Sequence, residues 1–218
     1  EAVTEFDPNS TDGSRVFARL SSAELVRAFI DRSRPETPRP TVVVDSSVLM
    51  PRDTDVPLLL ADLAECAAVV VADRDHVRTD LDQDWLDAWR RLHRTAQDFG
   101  ARSVVSIAYG VDHEPSVLAG CLEQIRYLQD EGTNVAGVLL VPVWSPNPSA
   151  HYLQAPTAMQ TLRLASVARI YLDNICHIAL PVARVGLEIA VLALSYGADL
   201  LDRSVQRNSI ASLGSVGD

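Results

Sequence analysis

Ser103-Val104-Val105-Ser106-Ile107-Ala108, running into Tyr109-Gly110, and Val135-Ala136-Gly137-Val138-Leu139-Leu140-Val141-Pro142-Val143 are two mostly apolar runs separated by Pro115–Leu128. Runs of this length and character suit strands buried on both faces. The intervening segment is of helix length. Strand, helix and strand at this spacing make a βα unit whose strands lie parallel in one sheet.

The pattern extends in both directions. Upstream, Thr41–Val44 is a β-branched run ending in Asp45-Ser46-Ser47, residues 56–65 read as a short helix, and Ala67–Val71 is a strand ending in Asp73-Arg74-Asp75-His76. Asp84 then caps an amphipathic helix. Trp85, Trp89, Leu92, Ala96 and Phe99 fall on its one apolar stripe, and Gly100 sits just past its end. Downstream, Thr157–Leu172 is a helix, Ile175–Leu180 a strand, Arg184–Tyr196 a helix closed by Gly197, and Ala198–Leu201 a short last strand.

Residues 1–20 are polar and irregular. Ser21 with Glu24 reads as a capping box for a helix reaching about Asp31, and Pro35, Pro38 and Pro40 make a stiff connector. The expectation is an α/β fold: a parallel, (β/α) barrel-like domain over 41–218, preceded by an N-terminal extension with one helix over 1–40. Six strands are too few for the eight of a closed ring, so the barrel is a partial or incomplete TIM-type one. Such a sheet leaves an open edge, to be covered by segment 1–40 or by a second subunit.

Composition narrows the function. The 218 residues carry a formal charge of −10 and are 47% hydrophobic, enough for one sizeable core. An acidic surface repels phosphate backbones, so nucleic acid is not an expected partner. No apolar run approaches the length of a membrane span, and no basic-then-apolar leader opens the chain at Glu1. All 19 basic residues are arginine; without lysine there is neither a Schiff-base nor a P-loop lysine. Cys66, Cys121 and Cys176 are isolated from one another. No CxxC spacing exists for a zinc or cluster motif, and three separate thiols fit a reducing cytoplasm.

In parallel βα folds, ligands sit at the C-terminal ends of the strands. The polar residues expected there are Asp45, Asp73, Arg74, Tyr109, His113, Trp144 and Asn147, with His177 on a strand near Leu180. Asp73, Arg74, Tyr109, Trp144 and Asn147 form a candidate ligand set. One aromatic plane, a phenol, an amide and a carboxylate suit a planar, nucleoside-like molecule. Asp73, His113 and His177 are the candidate acid–base groups if the mouth is catalytic. No metal site is assigned.

From about residue 60 onward the chain resembles the radical S-adenosylmethionine (SAM) enzymes of the futalosine route to menaquinone and the related deazaflavin synthase subunits. The resemblance rests on ordered segments. Asp84–Arg90 is similar to the family's EWL helix, and Gly100–Ser103 with Ala108–Gly110 to its GLRSTATMMYGH strand. Glu123–Asp130 is similar to LRELQDE, Ala168–Ile175 to ARIVLDNI, and Leu192–Asp199 to LALRFGAND.

The resemblance implies the later part of a radical SAM barrel, whose cluster is held by a CxxxCxxC motif. That motif has no counterpart here. The family's GGGAE becomes Glu65-Cys66-Ala67-Ala68-Val69, the histidine after Tyr-Gly becomes Val111, QASW becomes Ala179-Leu180-Pro181-Val182, and EE becomes Arg207-Asn208.

The expectation is therefore a degenerate radical-SAM-like protein with no cofactor of its own. It would act as the partner of a catalytic paralogue, by self-association, or as a binder of a nucleoside-like small molecule. The alternatives are an enzyme of another class using Asp and His at the barrel mouth, or a radical SAM enzyme whose cluster region lies outside this chain.

Overall fold

The computed structural model describes residues 17–20, 22–32, 41–51, 54–73, 83–110, 114–143 and 156–202. Seven strands lie in one sheet in sequence order, each parallel to the next. They are β1 (Phe17–Leu20), β2 (Thr41–Asp45), β3 (Ala68–Ala72), β4 (Arg102–Tyr109), β5 (Val135–Pro142), β6 (His177–Pro181) and β7 (Leu200–Asp202).

Helices follow the strands: α1 (Ala23–Arg32), α2 (Ser46–Leu49) and α3 (Val56–Cys66), α4 (Gln83–Asp98), α5 (Pro115–Asp130), α6 (Ala158–Tyr171), α7 (Val182–Val185) and α8 (Leu187–Ala193). The sheet curls: one cavity is lined by residues from every strand between β2 and β7. Among the described residues β7 pairs only with β6, so the ring stays open.

The expected parallel α/β partial barrel is thus observed, with one strand more than the sequence signalled. β1 falls in the stretch that reads as irregular, because Phe17-Ala18-Arg19-Leu20 is short and shows no apolar run. It pairs along β2 from Phe17↔Thr41 to Leu20↔Val44. Residues from the N-terminal extension therefore cover the edge that β2 would otherwise expose, and the division at residue 40 falls inside a continuous sheet. Ser21, on which the expected capping box of α1 rests, lies outside the described residues; the Ser22 hydroxyl accepts from the Leu25 amide at 3.3 Å.

Two clusters form the core behind the sheet. Val42, Val44, Val69 and Val71 pack with Val26, Leu60, Leu63, Leu92 and Ala96. Val105, Ile107, Val138, Leu140, Ile178 and Leu180 pack with Ile125, Leu128, Leu162, Ala165 and Ala168. Alternate residues of each strand serve this helix-facing side, as a pleat requires.

α6 starts on a full capping box. The Thr157 hydroxyl accepts from the Gln160 amide, and the Gln160 side-chain oxygen accepts from the Thr157 amide at 2.7 Å. The single helix expected over 184–196 is broken at Gly186, whose φ of +83° lies in the left-handed region that glycine tolerates. Gly197 at +104° then turns the chain into β7, where a Cβ would come within 2.6 Å of the Arg169 Cβ. Among the described residues no helix is long and apolar enough to cross a membrane.

Candidate functional site

The register sorts the strand residues into two faces. Val43, Val70, Val104 and Ala179 line the concave cavity. Residues paired with them share that face: Asp45 with Ala72, Ala72 with Val104, Ser106 with Leu139, Ala108 with Val141, and Gly137 with His177. The lumen wall is therefore built mostly from valine, alanine, glycine and serine, with Leu139 on β5, Leu200 and Leu201 on β7, and Asp45 at the end of β2. A bulge between Ser103 and Val104 gives β5 one extra residue, Ala136, which also lines the cavity.

Asp73 and Tyr109 stand one step out of that parity and turn to the helices. Asp73, just past β3, is buried. Its Oδ2 accepts from Trp89 Nε1 at 3.0 Å, and its Oδ1 from His93 Nε2 at 3.2 Å. The other ring nitrogen of His93 lies 2.8 Å from the Ser103 hydroxyl. Carboxylate, indole, imidazole and hydroxyl thus form a closed polar network between β3, β4 and α4, with His93 fully buried. Its order of groups is that of a nucleophile triad, but no substrate can reach it, so its consequence is structural.

Tyr109, at the end of β4, lies in the helix-side core, and its hydroxyl is 2.9 Å from Thr161 Oγ1 on α6. Burial pushes its phenol up to about 12. The unfolded chain ionises near 10 while the fold resists ionisation. Stability is therefore intact below about pH 10 and falls as pH climbs toward 12, by an amount on the order of 2–3 kcal/mol. Urea melts of wild type and Tyr109→Phe across that window should show the decline in the first, with the Tyr109 component missing from the second.

His177 is placed away from the mouth. It is the first residue of β6, at the N-terminal end of the strands, exposed, with Nδ1 3.1 Å from Asp199 Oδ2. Asp199 also accepts from the Ile178 amide and pairs with Arg169 at 3.2 Å, closing the strand entry from α6. Asp73 and His177 therefore lie at opposite strand ends and cannot share a proton-transfer site. Arg74, His113, Trp144 and Asn147 lie outside the described residues.

Of the polar strand-end residues expected from the sequence, Asp45 is the described one on the lumen face, and it is buried. The lumen residues that sequence reasoning missed are Arg102 and Asp202, the first residue of β4 and the last of β7. The signal for Arg102 was available in the two-residue alternation of Arg102, Val104, Ser106 and Ala108.

The three cysteines occupy three separate places, and none is in a disulfide. Cys66 ends α3 below β3. Cys121 is buried on α5 in the helix-side core. Cys176 is exposed just before β6. Val69, which the resemblance sets against the glutamate of the family's GGGAE, is the second residue of β3 and faces the helix layer.

No protein-family model matches the chain. It is 32% identical over 158 residues to 5-amino-6-(D-ribitylamino)uracil–L-tyrosine 4-hydroxyphenyl transferase from Methanoculleus marisnigri, an alignment covering 70% of this chain and 42% of that protein. It is 31% identical over 144 residues to aminodeoxyfutalosine synthase from Streptomyces coelicolor, covering 61% and 36%. To cyclic dehypoxanthine futalosine synthase from the same organism it is 26% identical over 132 residues, covering 59% and 32%. The chain thus spans less than half the length of these curated relatives.

Proposed function

The chain belongs to the radical SAM family that includes aminodeoxyfutalosine synthase and cyclic dehypoxanthine futalosine synthase, and from that premise we propose that it is a member without an iron–sulphur cluster of its own, acting beside a catalytic paralogue in futalosine-type or related biosynthesis. The observation that carries this is the placement of the thiols. A [4Fe–4S] cluster needs several cysteine sulphurs around one point. Cys66, Cys121 and Cys176 lie at a helix end, in the buried helix layer and at a strand entry, in three different βα units. The residues present do not fit the cluster, and no radical step is assigned to them.

The framework is retained for a physical reason. Strands and helices need only size and pattern to pack, whereas a reactive site needs particular groups at particular distances. Here the cavity lining is largely aliphatic, and the polar positions that the resemblance marks are apolar or unlike residues. Release from radical chemistry leaves that signature.

Anaerobic iron–sulphide reconstitution of the full-length gene product tests the proposal, read by iron counting and absorbance. The expected result is no stoichiometric cluster, together with co-purification of a full-length radical SAM paralogue when the two are co-expressed. A full cluster's worth of iron per chain would overturn it.

A further inference from the structure

The inner wall of the sheet is too thin to fill the space it encloses. In a closed parallel barrel, branched aliphatic side chains from alternate strands meet at the axis and pack. Here Val43, Val70 and Val104 on β2 to β4 are joined by only Ala136 on β5 and Ala179 on β6 around the open space. A cavity of about 440 Å³ remains, within the range of small-molecule sites.

The cavity is aliphatic except at two points, Arg102 and Asp202. All strands run the same way, so the first residue of β4 and the last of β7 mark opposite ends of the lumen. Asp202 already has an interaction within the fold. Arg102 is exposed and, among the described residues, has no carboxylate partner.

We propose that the lumen binds an aliphatic monocarboxylate. The acid group sits on Arg102 at the N-terminal end of the strands, and the hydrocarbon body lies along Val70, Val104, Ala136 and Ala179. A guanidinium presents a planar fork of donors that a carboxylate matches with two hydrogen bonds. The aliphatic wall releases water when a hydrocarbon chain covers it. Apart from Asp202, the rest of the lining is aliphatic and offers a second acid group no donor, so the site selects against dicarboxylates. The site is separate from the cysteines. A cluster found on the protein would leave it intact, and a lumen that binds nothing would leave the cluster-free proposal standing.

Isothermal titration of the 218-residue chain tests this, with decanoate below its micellar concentration, decanol and decanedioate. Saturable one-to-one binding of decanoate is expected, with decanol and decanedioate weaker by about ten-fold or more. Arg102→Gln should weaken decanoate to the level of decanol while leaving the urea midpoint unchanged, since this side chain is exposed. Ala179→Leu, which puts a larger side chain into the lumen, should abolish decanoate binding in a chain that still unfolds cooperatively. Equal affinity for decanol and decanoate, full affinity in Arg102→Gln, or no saturable binding of decanoate would each overturn the proposal.

Discussion

Trp89→Ala is expected to cost the fold roughly 3–5 kcal/mol, a large share of the roughly 5–15 kcal/mol typical of a native domain. Trp89 sits on the apolar stripe of α4 and is 1% exposed. Its ring stacks on Trp85 at 6.4 Å between centroids and meets the edge of His93 at 4.9 Å. Truncation removes a large buried surface and leaves a cavity between α4 and the sheet that backbone relaxation fills only in part. It also removes the indole N–H that Asp73 accepts.

Two controls separate these losses. Trp85→Ala should cost clearly less, because Trp85 is only half-buried at the margin of the same stripe. Trp89→Phe restores most of the ring volume and not the donor, so its deficit measures the hydrogen bond, about 1–3 kcal/mol for an acceptor left buried without it. Urea unfolding with a shared slope reports all three. An unchanged midpoint in Trp89→Ala would mean that this face of α4 is not core.

The fold was legible because its signal is redundant. Apolar runs recur at βα spacing from Thr41 to Leu201, and the Trp85–Phe99 stripe has a clear helical period. Nine of the elements so read match the structure to within a residue or two: β2 to β7, α3, α5 and α6. β1 was lost because its four residues include an arginine, and their strand state comes from pairing with β2 rather than from propensity. The break at Gly186 was hidden inside an apolar stretch that reads as one helix.

The candidate site was less legible, because side-chain direction alternates along a strand. The end of a strand is visible in sequence, but which face a terminal residue takes depends on register, and a shift of one position reverses it. Asp73 and Tyr109 were correctly placed at strand ends, yet both fall on the helix-facing parity, and neither meets the lumen. Arg102 had the lumen parity and was passed over, because a charged first residue of a strand reads as a solvated boundary. In the sequence Asp73 stands beside Arg74, Asp75 and His76. The partners that Asp73 takes are Trp89 and His93, 16 and 20 positions away.

Asp73→Ala should therefore destabilise the protein rather than disable a pocket, by roughly 3–5 kcal/mol, the usual range when one partner of a buried polar pair is removed. The carboxylate holds both the Trp89 and the His93 N–H groups, and neither has water to turn to once it is gone, since His93 is fully buried and Trp89 nearly so. Asp73→Asn should cost much less. Its carbonyl can still accept from Trp89, and its amide can donate to His93 Nε2 if the imidazole moves its proton to Nδ1 and donates to Ser103. Adding His93→Leu to Asp73→Leu replaces both polar partners by aliphatic ones, and part of the loss should return, because fewer buried groups are left unpaired. Chemical unfolding of the single and double variants measures this directly. A network that only decorated a ligand site would give Asp73→Ala with an unchanged midpoint and a lost ligand. The buried geometry requires the reverse, a lowered midpoint with decanoate binding at Arg102 retained in the folded fraction.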